Sequence, residues 1–250
     1  MIIFKKPLLL LFGILPLLFG CSVVDFKKTQ PGDFSGTLMV VWVDTGFSSS
    51  QGDGEFLFIP YRNDPLTFRR PEQDDIPEGK RIIAPQAFYT DGGSIPRFGQ
   101  SIRGLNAWGY GPAYVIHDWL FVARRCLNDK AKELPHHATK PMEDISYMDF
   151  KDSVEVMAET IKTIHRDLKI NEPTGQIIPI ATSSNISRDR WTAIGTCGNP
   201  IINPKHQEKV DMINSQKSVR AFNSLESATA ENPLEFPDGV TMYPVAIVRY

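Results

Sequence analysis

The sequence lacks the residue spacings by which many metal and thiol enzymes are recognised. Its five histidines and three cysteines form no H-x-x-x-H, H-E-x-x-H or C-x-x-C pattern. The G-x-S-x-G elbow of the α/β-hydrolases is also missing. The common zinc and thiol-redox motifs are therefore excluded.

Strong charge and internal repetition are missing as well. The net charge is -2 at pH 7, and there is no basic stripe and no basic patch with interleaved aromatic residues. This argues against a nucleic-acid partner. No internal repeat or low-complexity block occurs, and 42% hydrophobic with 22% charged residues is an ordinary globular composition. A chain of 250 residues can form one substantial core or a core plus an appendage.

The long apolar run at the N-terminus is too short to span a bilayer comfortably as a helix. It covers residues 7–19, follows Lys5 and Lys6, and is followed by G-C-S. A basic start before an apolar run is typical of a secretory signal. The ending L-F-G-C resembles the lipobox of bacterial lipoproteins, in which Cys21 is the residue that receives the lipid. A plain secretory signal with an incidental cysteine is the alternative.

Lipid attachment at Cys21 would anchor the protein to a membrane, because each buried methylene of an acyl chain such as palmitate contributes about 0.8 kcal/mol. Ser22 rather than Asp follows the cysteine, which in a Gram-negative cell indicates the outer membrane, facing the periplasm. We therefore predict a cell-envelope lipoprotein whose partner is the membrane, with an envelope polymer or another protein as a further candidate. Residues 1–20 are the predicted signal peptide, and residues 21–36 a polar tether.

The two remaining cysteines are Cys126 and Cys197. In an oxidising envelope compartment they can pair as a disulfide. With only two cysteines, the sequence does not separate a disulfide from two buried thiols, so both alternatives are open at this point.

The chain after the tether predicts an α+β fold, a small and mostly antiparallel sheet packed by two helices, with an irregular C-terminal extension. We assign residues 37–170 to the core domain and residues 171–250 to the extension, in which residues 205–216 favour a short helix. Stretches rich in β-branched and aromatic residues favour strands, with Pro85 indicating an edge or a bend. The predicted strands cover residues 37–43, 55–61, 66–69, 81–88 and 241–250, of which the last can return to the sheet.

The two main helices are predicted from hydrophobic periodicity. Residues 111–126 are apolar on nearly every side, which is typical of a buried helix. In residues 147–168 apolar side chains recur every three or four positions, which gives a helix one apolar stripe. Ser146 and Asp149 have the spacing of a capping box at the start of this second helix.

Residues 90–120 join a polar, glycine-broken loop to the first helix. They contain T-D-G-G-S-I-P and then A-Y-V-I-H-D-W-L. These motifs, in this order and followed by an Asp near the next helix, resemble a bacterial and phage family of uncharacterised proteins known only as a domain of unknown function. The resemblance covers roughly residues 55–168 and implies a small α+β domain. It implies no activity, and the family usually lacks the lipid signal and the long extension.

His117 and Asp118 lie in the middle of the predicted buried helix, where polar groups need partners. Adjacent residues of a helix point about 100° apart, so the two can face one small ligand only across their shared edge. His117 is either a core histidine held by a neighbouring carboxylate or the partner of Asp91, which would orient the imidazole for proton transfer or metal binding. Asp91 has the alternative role of shaping its loop as an Asx-turn.

Two further residues are weaker candidates. Ser94 either caps its turn or acts as a nucleophile with His117 as base, and Asp149 either caps its helix only or also reaches the site. A metal site formed by His117 with Asp91, Asp118 and Asp149 would suit a hard cation or a catalytic zinc. The sequence identifies no particular metal or cofactor. The His-Asp doublet also marks a class of metal-dependent phosphohydrolases, but these need a further His upstream, and none precedes His117.

Two functional hypotheses follow. The favoured one is a non-catalytic binding or structural lipoprotein, in which the polar cluster only holds the loop to the helix. The alternative is a hydrolase of cell-envelope material with Asp91, His117 and Asp118 as its acid–base or metal centre. The aromatic residues of the same segment either line a groove for a sugar or peptide ligand or simply fill the core.

Overall fold

The protein folds into two antiparallel sheets and five helices within the residues described by the computed structural model, which are 24–44, 55–90, 110–168, 182–198, 200–215, 233–236 and 238–250. The strands are β1 (Asp33–Ser35), β2 (Thr37–Asp44), β3 (Glu55–Phe58), β4 (Thr67–Arg69), β5 (Ile82–Ile83), β6 (Phe88–Thr90), β7 (Leu234–Glu235) and β8 (Thr241–Arg249). The helices are α1 (Gly111–Ala131), α2 (Lys140–Asp144), α3 (Phe150–Leu168), α4 (Asn185–Thr192) and α5 (Pro204–Ser215). The predicted α+β class is confirmed.

The central strand of the larger sheet separates two hydrophobic cores. This sheet has the strand order β6-β3-β2-β8-β7, and the smaller sheet has the order β1-β4-β5. Successive side chains of a strand point to opposite faces, so Leu38 and Val40 of β2 pack with α1 and α3. Met39, Val41 and Val43 pack with α5 on the other face. Because both faces are covered, β2 is an apolar run without polar alternation.

The C-terminal strand lies inside the larger sheet. β8 pairs with β2 from Thr37 opposite Arg249 to Asp44 opposite Thr241. The prediction that residues 241–250 return to the sheet is therefore confirmed. The division of the chain at residue 170 stays a prediction, although residues from both sides of it share this sheet.

Several elements differ from their predicted limits. The strand predicted over 81–88 is divided into β5 and β6, which belong to different sheets, since Pro85 cannot donate a ladder hydrogen bond. α1 continues past residue 126 to Ala131, and the short helix predicted over 205–216 is confirmed as α5. α4 is not predicted from the sequence. Trp191 is the single buried residue of this helix, so the helix has no apolar stripe.

The start of α3 is capped by two carboxylates. The backbone N–H of Asp152 donates to Oδ1 of Asp149 at 2.9 Å, and the N–H of Asp149 donates to Oδ2 of Asp152 at 2.7 Å. This is the reciprocal arrangement of a capping box. The role of Asp149 as a cap is confirmed, whereas Ser146 as the first member of the box is wrong, because the box begins at Asp149 itself.

A buried ion pair joins the smaller sheet to α3. Arg70 directly follows β4, and both its side chain and that of Glu159 are fully buried. Nε and Nη2 of Arg70 donate to the two carboxylate oxygens at 3.0 and 2.9 Å. Nε2 of Gln73 donates to the same carboxylate at 2.8 Å. Since an isolated charge is costly in the interior, each partner requires the other, and the pair sets the position of α3 against the sheet.

A disulfide bond joins Cys126 of α1 to Cys197, which follows α4. The buried carboxylate of Asp129 reinforces this link, since its two oxygens accept the backbone N–H groups of Gly195 and Cys197 at 2.5 and 2.8 Å. Of the two alternatives that the sequence left open, the structure has the disulfide. α4 and the loop after it are therefore fastened to α1.

Reduction of the disulfide should lower the free energy of unfolding by about 4 kcal/mol, because the bond closes a loop of roughly 71 residues and restricts the unfolded chain. Urea unfolding with and without dithiothreitol measures the difference. A Cys126→Ser/Cys197→Ser double variant should unfold like the reduced protein and should not respond to dithiothreitol. An unchanged unfolding midpoint on reduction of the wild type would contradict the expectation.

Candidate functional site

The end of β6 and the middle of α1 meet through one short hydrogen bond. Oγ1 of Thr90 donates to Oδ2 of Asp118 at 2.6 Å. Thr90 is buried, and Asp118 is partly buried. Hydrogen bonds to a charged group are worth more than those between neutral groups. This contact fixes the point at which the chain leaves the sheet, directly before the T-D-G-G-S-I-P loop.

His117 lies beside Asp118 on the same edge of α1. Its Nδ1 is 3.9 Å from Oδ1 of Asp118, which is too long for a hydrogen bond. The imidazole packs against the ring of Phe121 with a centroid distance of 4.9 Å and is buried. Its Nε2 has no hydrogen-bond partner among the residues that the structure describes. The side chains of His117 and Asp118 therefore approach each other across the edge of α1 that they share. The angle of about 100° between adjacent residues of a helix permits this arrangement.

Tyr114, one turn before Asp118, adds a third polar group that sequence reasoning treated only as an aromatic residue. Its hydroxyl is buried and has no partner within the described part of the chain. Burial raises the pKa of Tyr114 above its usual range, and the charges of Tyr110 and Asp118 raise it further. The hydroxyl thus stays protonated and available as a donor. The signal that could have found it is the i, i+4 spacing from Asp118, which places both side chains on one helix face.

We call Thr90, Tyr114, His117 and Asp118 the β6–α1 cluster. It contains a carboxylate held by a hydroxyl, an imidazole with one unpartnered nitrogen, and a phenol. Chemically, the arrangement can bind a polar group or transfer a proton. It can equally hold the sheet to the helix through the hydrogen bond from Thr90 to Asp118, because depriving that carboxylate of its donor would cost about 1–3 kcal/mol.

Of the remaining predicted site residues, the structure describes only Asp149. Asp149 caps α3 and lines a groove beside Arg124, and the structure does not bring it into the β6–α1 cluster. Asp91 and Ser94, and likewise the lipid-attachment residue Cys21, lie outside the described residues, so the pairing of His117 with Asp91 stays a prediction. Across the described ranges, no three His, Cys, Asp or Glu side chains are close enough together to hold a metal ion.

Comparison with known families adds one finding. Residues 68–148 match the family model described as Protein of unknown function (DUF1353). The matched segment begins in β4 and includes Arg70 and the whole β6–α1 cluster, but it ends before α3. This supports the resemblance to an uncharacterised domain family and assigns no activity. No curated protein and no solved structure matches the chain.

No helix in the described ranges is long and apolar enough to cross a membrane.

Replacing Thr90 with Val should lower the free energy of unfolding by about 1–3 kcal/mol, because it removes the donor from a partly buried carboxylate while keeping the size of the side chain. Thr90→Ser is the matched control, since it retains the hydroxyl. It should stay within about 1 kcal/mol of the wild type. Urea unfolding of the three proteins tests this, and equal losses in both variants would show that the hydrogen bond to Asp118 contributes little.

Proposed function

We propose that the protein is a lipid-anchored cell-envelope protein, attached through Cys21, whose domain has a non-catalytic binding or structural role. The observation that supports a location outside the cytosol is the disulfide bond between Cys126 and Cys197. Stable disulfides form in oxidising compartments and are rare in the cytosol. This agrees with the secretory signal and lipobox in the first 21 residues, which direct the chain out of the cytosol.

The structural role of the β6–α1 cluster is supported by how its groups are used. Oδ2 of Asp118 accepts the Thr90 hydroxyl, and the ring of His117 is buried against Phe121. The first contact connects the end of β6 to α1, and the second holds the imidazole against its own helix, since Phe121 also belongs to α1. A carboxylate engaged in this way holds the beginning of the T-D-G-G-S-I-P loop, which is the role that the favoured hypothesis gives it.

Metabolic labelling with an alkyne-tagged palmitate tests the anchor. Full-length wild-type protein expressed in a Gram-negative host should carry the label and sediment with the outer membrane. Cys21→Ser should carry none. Ser22→Asp is a second variant, which should keep the label but fractionate with the inner membrane. Labelling that survives in Cys21→Ser, or an unlabelled wild type found in the soluble periplasmic fraction, would refute lipid attachment at this residue.

A second candidate function is hydrolysis of cell-envelope material, with Asp91, His117 and Asp118 as the acid–base or metal centre. The observation in its favour is the buried Nε2 of His117, which has no partner among the described residues. A buried polar atom without a partner is uncommon in native proteins and is typical of strained or functional sites.

His117→Ala separates the two functions. If the cluster is structural, the variant loses about 2–5 kcal/mol of unfolding free energy because it removes a large buried side chain, and the wild type contains no stoichiometric metal. If the site is catalytic, the variant stays folded but loses bound metal or hydrolysis of purified peptidoglycan. His137→Ala, at an exposed histidine, is the control. Elemental analysis, urea unfolding and a peptidoglycan turbidity assay on the full chain give the three readouts.

A further inference from the structure

A groove of about 560 Å³ lies between the C-terminal half of α1, the start of α3 and α4. It is separate from the β6–α1 cluster and shares no residue with it. Its volume is within the roughly 300–1,000 Å³ typical of small-molecule sites. One wall comes from α4, which lies outside the segment that matches the family model.

The lining of the groove is strongly cationic. Arg124, Lys132, Lys151 and Arg188 face a single carboxylate, that of Asp149. Oδ1 of Asp149 is already engaged in the cap of α3. Within the described part of the chain, none of the four cations forms an ion pair. The whole chain has a net charge of -2, so this excess of positive charge is a local feature and raises the local concentration of anions.

Two of the cations are held in place. Nη1 and Nη2 of Arg124 donate to the carbonyls of Ser146 and Met148 at 3.4 and 2.8 Å, and its guanidinium lies 5.1 Å from the ring centroid of Trp191. The guanidinium of Arg188 lies 5.2 Å from the ring centroid of Phe150. The guanidinium edge of Arg188 forms no hydrogen bond within the described residues, and each Nη of Arg124 keeps one N–H beyond the one that it donates to a carbonyl. Arg is the residue best suited to paired hydrogen bonds with phosphate.

The floor of the groove is apolar. Trp191 and Phe150 are buried beneath the cations, and Ile194 is exposed at the rim, with 52% of its surface accessible. A ligand that matches this lining has negative charge toward the arginines and lysines, and an apolar or ring-shaped body over the floor.

The α4 wall is preformed. Besides the disulfide and the contacts of Asp129, Nδ2 of Asn128 donates to the carbonyls of Trp191 and Ala193 at 2.8 and 3.1 Å. A site that is ordered before binding avoids the entropy cost of ordering it upon binding. The oxidised protein therefore presents the groove ready for a ligand.

We propose that this groove binds a phosphate group carried on an apolar or ring-shaped body. The same chemistry is found in the headgroup of an anionic phospholipid and in a soluble phosphorylated molecule. Arg124 and Arg188 would donate to the phosphate oxygens, Lys132 and Lys151 would add charge, and Trp191 and Ile194 would contact the body. The proposal does not depend on the lipid anchor or on the role of the β6–α1 cluster.

Isothermal titration calorimetry of the full chain in a non-ionic detergent tests the proposal with phenyl phosphate, inorganic phosphate and phenol. Phenyl phosphate should bind with one-to-one stoichiometry and at least tenfold more tightly than inorganic phosphate, and phenol should not bind. Binding should weaken as salt is added, since exposed charges are screened.

Variants that remove positive charge show whether phenyl phosphate binds in the groove. Lys151→Gln/Arg188→Gln should weaken binding of phenyl phosphate at least tenfold. The matched control, Lys27→Gln/Lys205→Gln, removes two exposed lysines elsewhere and should bind like the wild type. Near-UV circular dichroism confirms that both are folded. The proposal would be overturned if the two double variants bound phenyl phosphate with equal affinity, if phenol bound as tightly as phenyl phosphate, or if none of the three probes bound.

A competition experiment shows whether the phosphate group that binds belongs to a lipid headgroup or to a soluble molecule. Mixed micelles that contain phosphatidylglycerol should displace phenyl phosphate if the ligand is a lipid headgroup, while micelles of the detergent alone should not. Binding of phenyl phosphate without such competition assigns the groove to a soluble ligand. Reduction with dithiothreitol should weaken binding in either case, because it releases the α4 wall.

Discussion

The burial of α1 is the constraint on which the rest of this structure depends. The helix contacts β6, α2, α3 and α4, so its polar side chains are costly to bury unless they find partners inside the protein. Its N-terminal half meets this demand only in part, because Asp118 accepts the hydroxyl of Thr90 whereas Tyr114, His117 and Trp119 each keep a buried polar atom without a partner among the described residues. Its C-terminal half meets the demand through Asn128 and Asp129, which hold the α4 region by backbone hydrogen bonds.

Charges buried between elements distant in sequence give the fold its geometry. Arg70 and Glu159 join the smaller sheet to α3, and Asp129 joins α1 to the loop after α4. Such groups add little net stability, since desolvation offsets most of the attraction. They act instead by excluding other arrangements, because any shift that separates the partners leaves a buried charge unpaired.

The two ends of α1 suggest different roles. At the N-terminal end, the β6–α1 cluster lies within the segment that matches an uncharacterised family, and its contacts hold strand to helix. At the C-terminal end, the cationic groove needs α4, which the match does not cover. The disulfide that supports an envelope location is also the bond that fastens one wall of this groove. In the proposed envelope location, the oxidising environment that forms this bond would also hold that wall in place.

Local patterns in the sequence determined the elements that rely on local rules. The apolar runs predicted β2 and α1, the three-and-four spacing predicted α3, and Asp149 near the start of that spacing predicted its cap. These follow from helix and strand periods, which a short window contains. The motif of residues 90–120 also directed attention to His117 and Asp118.

Only the tertiary structure decided which distant residues meet. The division of 81–88 between two sheets, the pairing of Arg70 with Glu159, and the gathering of four cations along one groove join positions that no local pattern relates. The sequence contained all of these residues, but their charges and hydrogen-bonding groups acquire partners only when the sheets and α1 pack together. Long-range electrostatic and hydrogen-bond partners are a property of that packing, because burial is what makes an unpaired polar group too costly to keep.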